Sequence, residues 1–130
     1  MGNFYLCGES KWERMNDAKF RVEFLDDAKQ FLDLLDDKAR RKIIYNIWKS
    51  RSTNDKELFK KLQDEIWEFR TKYNKFYYRL FAFWGKTGKQ DTLVIATHGL
   101  IKKTDTIPWK EITKAERLRK QYFKDKNQKG

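Results

Sequence analysis

The residues best suited to chemistry in this chain are cations set among aromatics in its C-terminal half. Arg70 closes the segment Ile66-Trp67-Glu68-Phe69-Arg70, and Arg79 sits inside the aromatic run from Phe76 to Trp84. His98 ends an apolar stretch that begins at Thr92; Lys102 and Lys103 follow, and Lys110 lies just behind Pro108, the sole proline. A guanidinium is a planar fork that grips phosphate through paired, charge-assisted hydrogen bonds. Histidine titrates near neutrality and suits proton transfer. Tyr73, Tyr77 and Tyr78 lie among these charges and are able to stack on unpaired bases. Arg79 leads the set, because an arginine inside an apolar strand needs a partner or a cleft. Arg70 has an alternative use as a surface ion-pair partner of Glu65 or Glu68. Trp67 and Trp84 are assigned to the core rather than to base stacking.

Other chemistries find little support. One His and one Cys do not make a zinc site, and no EF-hand spacing occurs. Neither GxGxxG nor GxxxxGK[ST] is present, and no nucleophile-elbow sequence supports a serine triad. No metal or cofactor is expected.

The elements that must position the cations follow from periodicity. Phe20 to Phe24 alternates apolar and charged and predicts a strand. Phe24, Ala28, Phe31, Leu32 and Leu35 fall at helical spacing, and so do Ala39, Ile43, Ile44, Ile47 and Trp48. Asp36-Asp37 caps the second of these helices, and the pair predicts an αα-hairpin. Leu58, Phe59 and Leu62 form a short apolar segment of open type. Ile66 to Arg70 alternates, and Lys72 to Lys75 is a turn in which Asn74 tolerates a left-handed conformation. Phe76 to Trp84 is β-prone, Gly85 to Asp91 is a hairpin loop, and the apolar run from Thr92 to His98 predicts a central strand covered on both faces. Behind Pro108, the spacing of Trp109, Ile112, Ala115, Leu118 and Tyr122 predicts a helix of about 15 residues. The expected order is β-α-α-β-β-β-α: an α+β domain with a small, mostly antiparallel sheet, an N-terminal αα-hairpin and a C-terminal helix. The helices are expected on one face of the sheet, leaving the other for function. Residues 1–19 are read as an extension, with a possible short strand at Asn3 to Cys7, residues 20–123 as the domain, and 124–130 as a frayed basic tail.

Composition bounds the partner. The 130 residues carry 30 Lys+Arg against 19 Asp+Glu, a net charge of +11. The excess is one-sided: residues 1–37 hold five basic and nine acidic residues, and residues 38–130 hold 25 and 10. Such a domain meets polyanions. Aromatics at 16% exclude wholesale disorder. No apolar run approaches the roughly 18 residues that span a bilayer, so no membrane partner is expected. The first residues lack the charged and apolar regions of a signal peptide, and a lone Cys7 forms no internal disulfide, so a cytoplasmic location is expected.

The ordered set Ile66-Trp67-Glu68-Phe69-Arg70, Tyr78-Arg79-Leu80-Phe81, His98-Gly99-Leu100-Ile101-Lys102-Lys103-Thr104 and Ile107-Pro108, with Ala115 and Arg117 behind it, resembles the HigB-like branch of the RelE/ParE toxin superfamily. Members of that branch are often labelled phage-derived proteins. The resemblance runs from about Phe20 to Phe123 and implies a RelE-like fold. It also implies the toxin of a type II toxin–antitoxin pair, which cleaves mRNA on the ribosome without a metal or other cofactor. A cognate antitoxin with a helix-turn-helix domain would neutralise it. By this likeness Arg79 stabilises the transition state, Arg70 assists, and His98 or Lys103 serves as acid or base. Lys102 and Lys110 hold phosphates, and Tyr77 and Tyr78 keep the RNA-binding role that their place among the cations gives them. Glu68 stands where RelE carries lysine, so a lysine base does not transfer to that strand. Two other readings fit the same sequence: a ParE-like inhibitor of DNA gyrase, and a non-catalytic basic nucleic-acid-binding protein of a mobile element.

Overall fold

The computed structural model describes residues 19–85 and 93–129. The expected N-terminal extension up to residue 18, its short strand, and the hairpin loop beyond Gly85 lie outside the described residues.

The described elements are β1 (Arg21–Phe24), α1 (Asp26–Asp33), α2 (Asp37–Ser50), β2 (Phe59–Gln63), β3 (Ile66–Tyr73), β4 (Phe76–Trp84), β5 (Leu93–Lys102) and α3 (Trp109–Lys129). The strands form one five-stranded sheet in the order β1-β5-β4-β3-β2. β2 to β5 pair antiparallel in succession, and β1 adds to β5 in parallel, Val22 opposite Val94.

The domain is α+β, but the expected β-α-α-β-β-β-α order with its αα-hairpin is incorrect in three respects. First, the open segment around Phe59 is a strand, which makes five strands rather than four. Its alternation is masked by Lys60-Lys61 and by a register break between Lys61 and Gln63. Second, the sheet is mixed, because β1 runs parallel to its neighbour. Third, α1 and α2 bury their apolar stripes on the sheet, α1 on β5 and α2 on β3, rather than on each other. The helices are also not confined to one face. α1 and α2 cover a core that includes Val22, Leu32, Ile43, Ile47, Leu80 and Val94. α3 covers the other face, over Ile66, Phe81, Phe83 and Ile95. Two apolar faces give every helix stripe a sheet partner, so a helix–helix seam is not needed.

Other expectations hold. β5 is buried from Leu93 through His98, as its unbroken apolar run predicts. The Asp36 side chain accepts from the Ala39 N–H at 2.9 Å and caps α2. The two-residue turn between β3 and β4 places Asn74 at φ 51° and Lys75 at φ 71°, the left-handed pair that matches strand twist in a tight hairpin. Gly99 of β5 lies directly beneath the Phe31 ring of α1, and a Cβ there would overlap that ring. Arg51, fully buried behind α2, donates from Nε to the Phe20 carbonyl at 2.6 Å and so ties the start of the domain to the end of the helix. α3 departs from expectation: it spans 21 residues, Trp109–Lys129, rather than about 15, and takes in residues 124–129 of the tail expected to fray. Among the described residues, no helix is long and apolar enough to cross a membrane.

Candidate functional site

The site is built on the face of the sheet that α3 partly covers. Side chains alternate along a strand, so Ile66, Glu68 and Arg70 of β3 share this face. Tyr77, Arg79 and Phe81 of β4 share it too. Arg70 and Arg79 are register partners, directly opposite each other. Two like charges in that position repel. The fold offsets the repulsion with carboxylates drawn from three segments.

Glu68 lies between the two arginines and is 2% exposed. Its Oε1 is 3.0 Å from Arg79 Nε, and its Oε2 is 3.4 Å from Arg70 Nε. Burial pushes the Glu68 carboxyl above the usual range, against the opposing pull of Arg79 and then Arg70. Asp105, in the loop between β5 and α3, pairs with Arg79 and lies 3.5 Å from Arg70, so one carboxylate spans both guanidiniums. Glu57 approaches Arg70 at 3.4 Å, and the Lys56 carbonyl accepts from Arg70 at 3.3 Å. Arg79 also lies over the Tyr77 ring, 5.2 Å from its centroid.

The exposures separate these anions by role. Glu68 is sealed in, while the Asp105 side chain is 57% exposed and that of Glu57 is 84% exposed. A buried carboxylate holds the two arginines in place. The exposed ones occupy positions that an incoming anion can take over.

His98 sits on the same face of β5, but inside. An extra residue in β5, where Phe81 faces His98 and Ala82 faces Ala96, turns Thr97 and His98 to one side. His98 is 4% exposed and stacks on Phe81 at 4.9 Å. Its Nε2 lies 3.0 Å from Glu111 Oε1 of α3, and its Nδ1 lies 3.0 Å from the Thr97 hydroxyl. Burial lowers its pKa below 6.5, against the hydrogen bond with Glu111. This hydroxyl–imidazole–carboxylate chain has triad-like order, but Thr97 is fully buried and offers no nucleophile to a substrate. Its effect is to fasten α3 to β5.

The structure therefore brings together Arg70, Arg79 and Tyr77. Lys102, half-buried, is the register partner of Tyr77. Lys103 is exposed at the start of the loop that carries Asp105, and Lys110 is exposed in the first turn of α3. Tyr78, expected at the RNA surface, is buried on the opposite face in the core under α1 and α2, because it alternates with Tyr77 and Arg79. His98 is withdrawn into the interior.

Sequence reasoning named Glu68 as a partner of Arg70, and that pair forms at 3.4 Å, in the interior rather than at the surface. It missed the pairing of Glu68 with Arg79 and the part played by Asp105 and Glu111. Asp105 and Glu111 reach the site only through the return of the chain after β5, and no local pattern marks them.

Among curated proteins, none matches the chain. The model of the family described as phage derived protein Gp49-like (DUF891) matches residues 30–120, from within α1 to the middle of α3, and the chain belongs to that family.

Proposed function

We propose that this Gp49-like protein is a HigB-like toxin of a type II toxin–antitoxin pair. It acts as an endoribonuclease that cleaves mRNA on the ribosome and so stops translation. The observation that carries this reading is the pair of opposed arginines bridged by the exposed Asp105 carboxylate. Arg79 is 2% exposed, so a phosphodiester entering the site must displace Asp105 to meet the two guanidinium forks held by Glu68.

Cleavage proceeds by attack of a ribose 2′-OH on the adjacent phosphorus, with the 5′-oxygen leaving. Arg79 and Arg70 neutralise the charge that builds on the phosphorane-like transition state. The proton is taken from the 2′-OH by a base, and an acid delivers one to the leaving oxygen. Of the two candidates for these transfers, Lys103 is exposed beside the site and His98 is not. Lys102 and Lys110 hold flanking phosphates, and Tyr77 supports Arg79 from beneath. The resemblance to RelE/ParE toxins supports a route without a metal ion. A cognate antitoxin with a helix-turn-helix domain covers the arginine face with an acidic segment.

The test is synthesis of a reporter protein in a purified translation system, with gyrase supercoiling measured in parallel. Translation stops with the intact protein, continues with Arg79→Ala, and supercoiling is unchanged. Continued translation with the intact protein contradicts the proposal, and loss of supercoiling points instead to a gyrase inhibitor.

A further inference from the structure

A groove of about 590 Å³ lies along the sheet edge formed by β2, on the opposite face from Arg70 and Arg79. Its floor is aromatic. Phe59 stacks on Trp67 at 4.9 Å, and Trp84 meets Trp67 edge-on at 5.9 Å. All three rings are half-buried, although the sequence assigns both tryptophans to the core. Its rim is cationic: Lys56, Lys60 and Lys61 line it, Lys19 stands where the described chain begins, and among the described residues no carboxylate lines it. Alternation along β2 sets Lys61 opposite Trp67 and Lys60 opposite Glu68, so the edge strand carries cations to both faces.

We propose that this groove binds single-stranded RNA, bases against Phe59, Trp67 and Trp84 and phosphates against the lysines. The two halves of the groove ask for different things. A hydrophobic peptide would cover the rings and strand the lysines, and an acidic peptide would pair the lysines and leave the rings wet. A single strand of nucleic acid alternates a planar base with a phosphate and satisfies both. Asn54 Oδ1 on the rim accepts from Lys19 Nζ at 2.9 Å, which leaves its amide hydrogens to meet a 2′-hydroxyl and so favours RNA over DNA. The site goes beyond the cleavage reading, because its rings lie on the opposite face from the arginine cluster; the two meet only along the β2 edge, where the Lys56 carbonyl accepts from Arg70 and Lys60 lies opposite Glu68.

The test is fluorescence anisotropy with a labelled oligouridylate of about 12 nucleotides, titrated with the full-length protein in the absence of ribosomes, on which the proposed cleavage depends. Binding is expected to quench tryptophan emission and to weaken steeply with added salt. The pair Lys56→Glu and Lys61→Glu is expected to lower affinity at least about tenfold. Both lysines are exposed, so the fold is kept. Trp67→Leu, checked by circular dichroism, is expected to lower affinity at unchanged secondary structure. Unchanged affinity in the lysine variant overturns the proposal, as does equal affinity for oligodeoxythymidylate or for duplex RNA. Failure of the nuclease reading is distinguishable, since it would leave this binding intact.

Discussion

Arg70 and Arg79 face each other across two neighbouring antiparallel strands and share the buried carboxylate of Glu68. That relationship sets the geometry of the candidate site. Two guanidiniums this close are tolerable only with an anion between them, and the fold supplies one that solvent cannot reach and a second that it can.

Arg79→Lys is expected to fail almost as completely as Arg79→Ala. A lysine ammonium cannot form the fork that meets Glu68, Asp105 and a phosphate together. Loss of one such transition-state donor lowers the cleavage rate by about 100-fold or more. Single-turnover cleavage on programmed ribosomes checks it, and near-normal rates for the lysine variant would remove the fork argument.

Glu68→Gln removes the sealed charge and leaves two opposed cations to Asp105 and Glu57. Breaking a buried pair from one side costs about 3–5 kcal/mol. The variant is therefore expected to unfold at a markedly lower urea concentration, with a drop in stability of about 3 kcal/mol. An unchanged midpoint would mean that the guanidiniums do not depend on this carboxylate.

Asp105→Asn tests the exchange of anions. The side chain is exposed, so little stability is at stake, but the negative charge that spans both arginines is gone. Sulfate and RNA are expected to bind more tightly than in the parent protein, as isothermal titration would show. Weaker binding would assign Asp105 to substrate contact instead.

His98 predicts a sign for the pH dependence. Its folded-state pKa lies below 6.5, so the unfolded chain takes up a proton that the folded protein refuses. The contribution is complete above pH 6.5 and is lost as pH falls below that value. Glu68 acts oppositely, since its raised pKa makes the folded state the better proton acceptor there. Comparing parent with His98→Gln isolates the histidine: the variant's stability should fall less between pH 7 and pH 5, values that bracket its unperturbed pKa. Parallel curves would contradict the assignment.

Gly99→Ala inserts a methyl group beneath Phe31. Overpacking of this kind costs about 1–3 kcal/mol. Thermal denaturation should show a clear loss, recovered in part by Phe31→Leu in the same chain.

The sequence made some of this legible and hid the rest for physical reasons. The burial of β5, the left-handed turn at Asn74 and the Asp36 cap all follow from local periodicity or turn chemistry, and the antiparallel pairing expected of β3 and β4 brings Arg70 and Arg79 together. β2 was obscured because it is an edge strand with only two large apolar residues and a register break. The pairing of β1 with β5 joins residues far apart in the chain, and no local pattern encodes it. Tyr78 was misplaced to the surface because its neighbours are as aromatic as it is, and only the register of β4 tells which ring faces inward. The exposure of His98 could not be read either, since it depends on one extra residue in β5 that turns the ring under α3.

The central claim is that the arginine pair cleaves RNA. Primer extension on mRNA recovered from a translation reaction tests it most directly. The account predicts new 5′ ends within the translated region with the intact protein and none with Arg79→Ala. Full-length extension products with the intact protein, in a reaction whose ribosomes are actively translating, would contradict it.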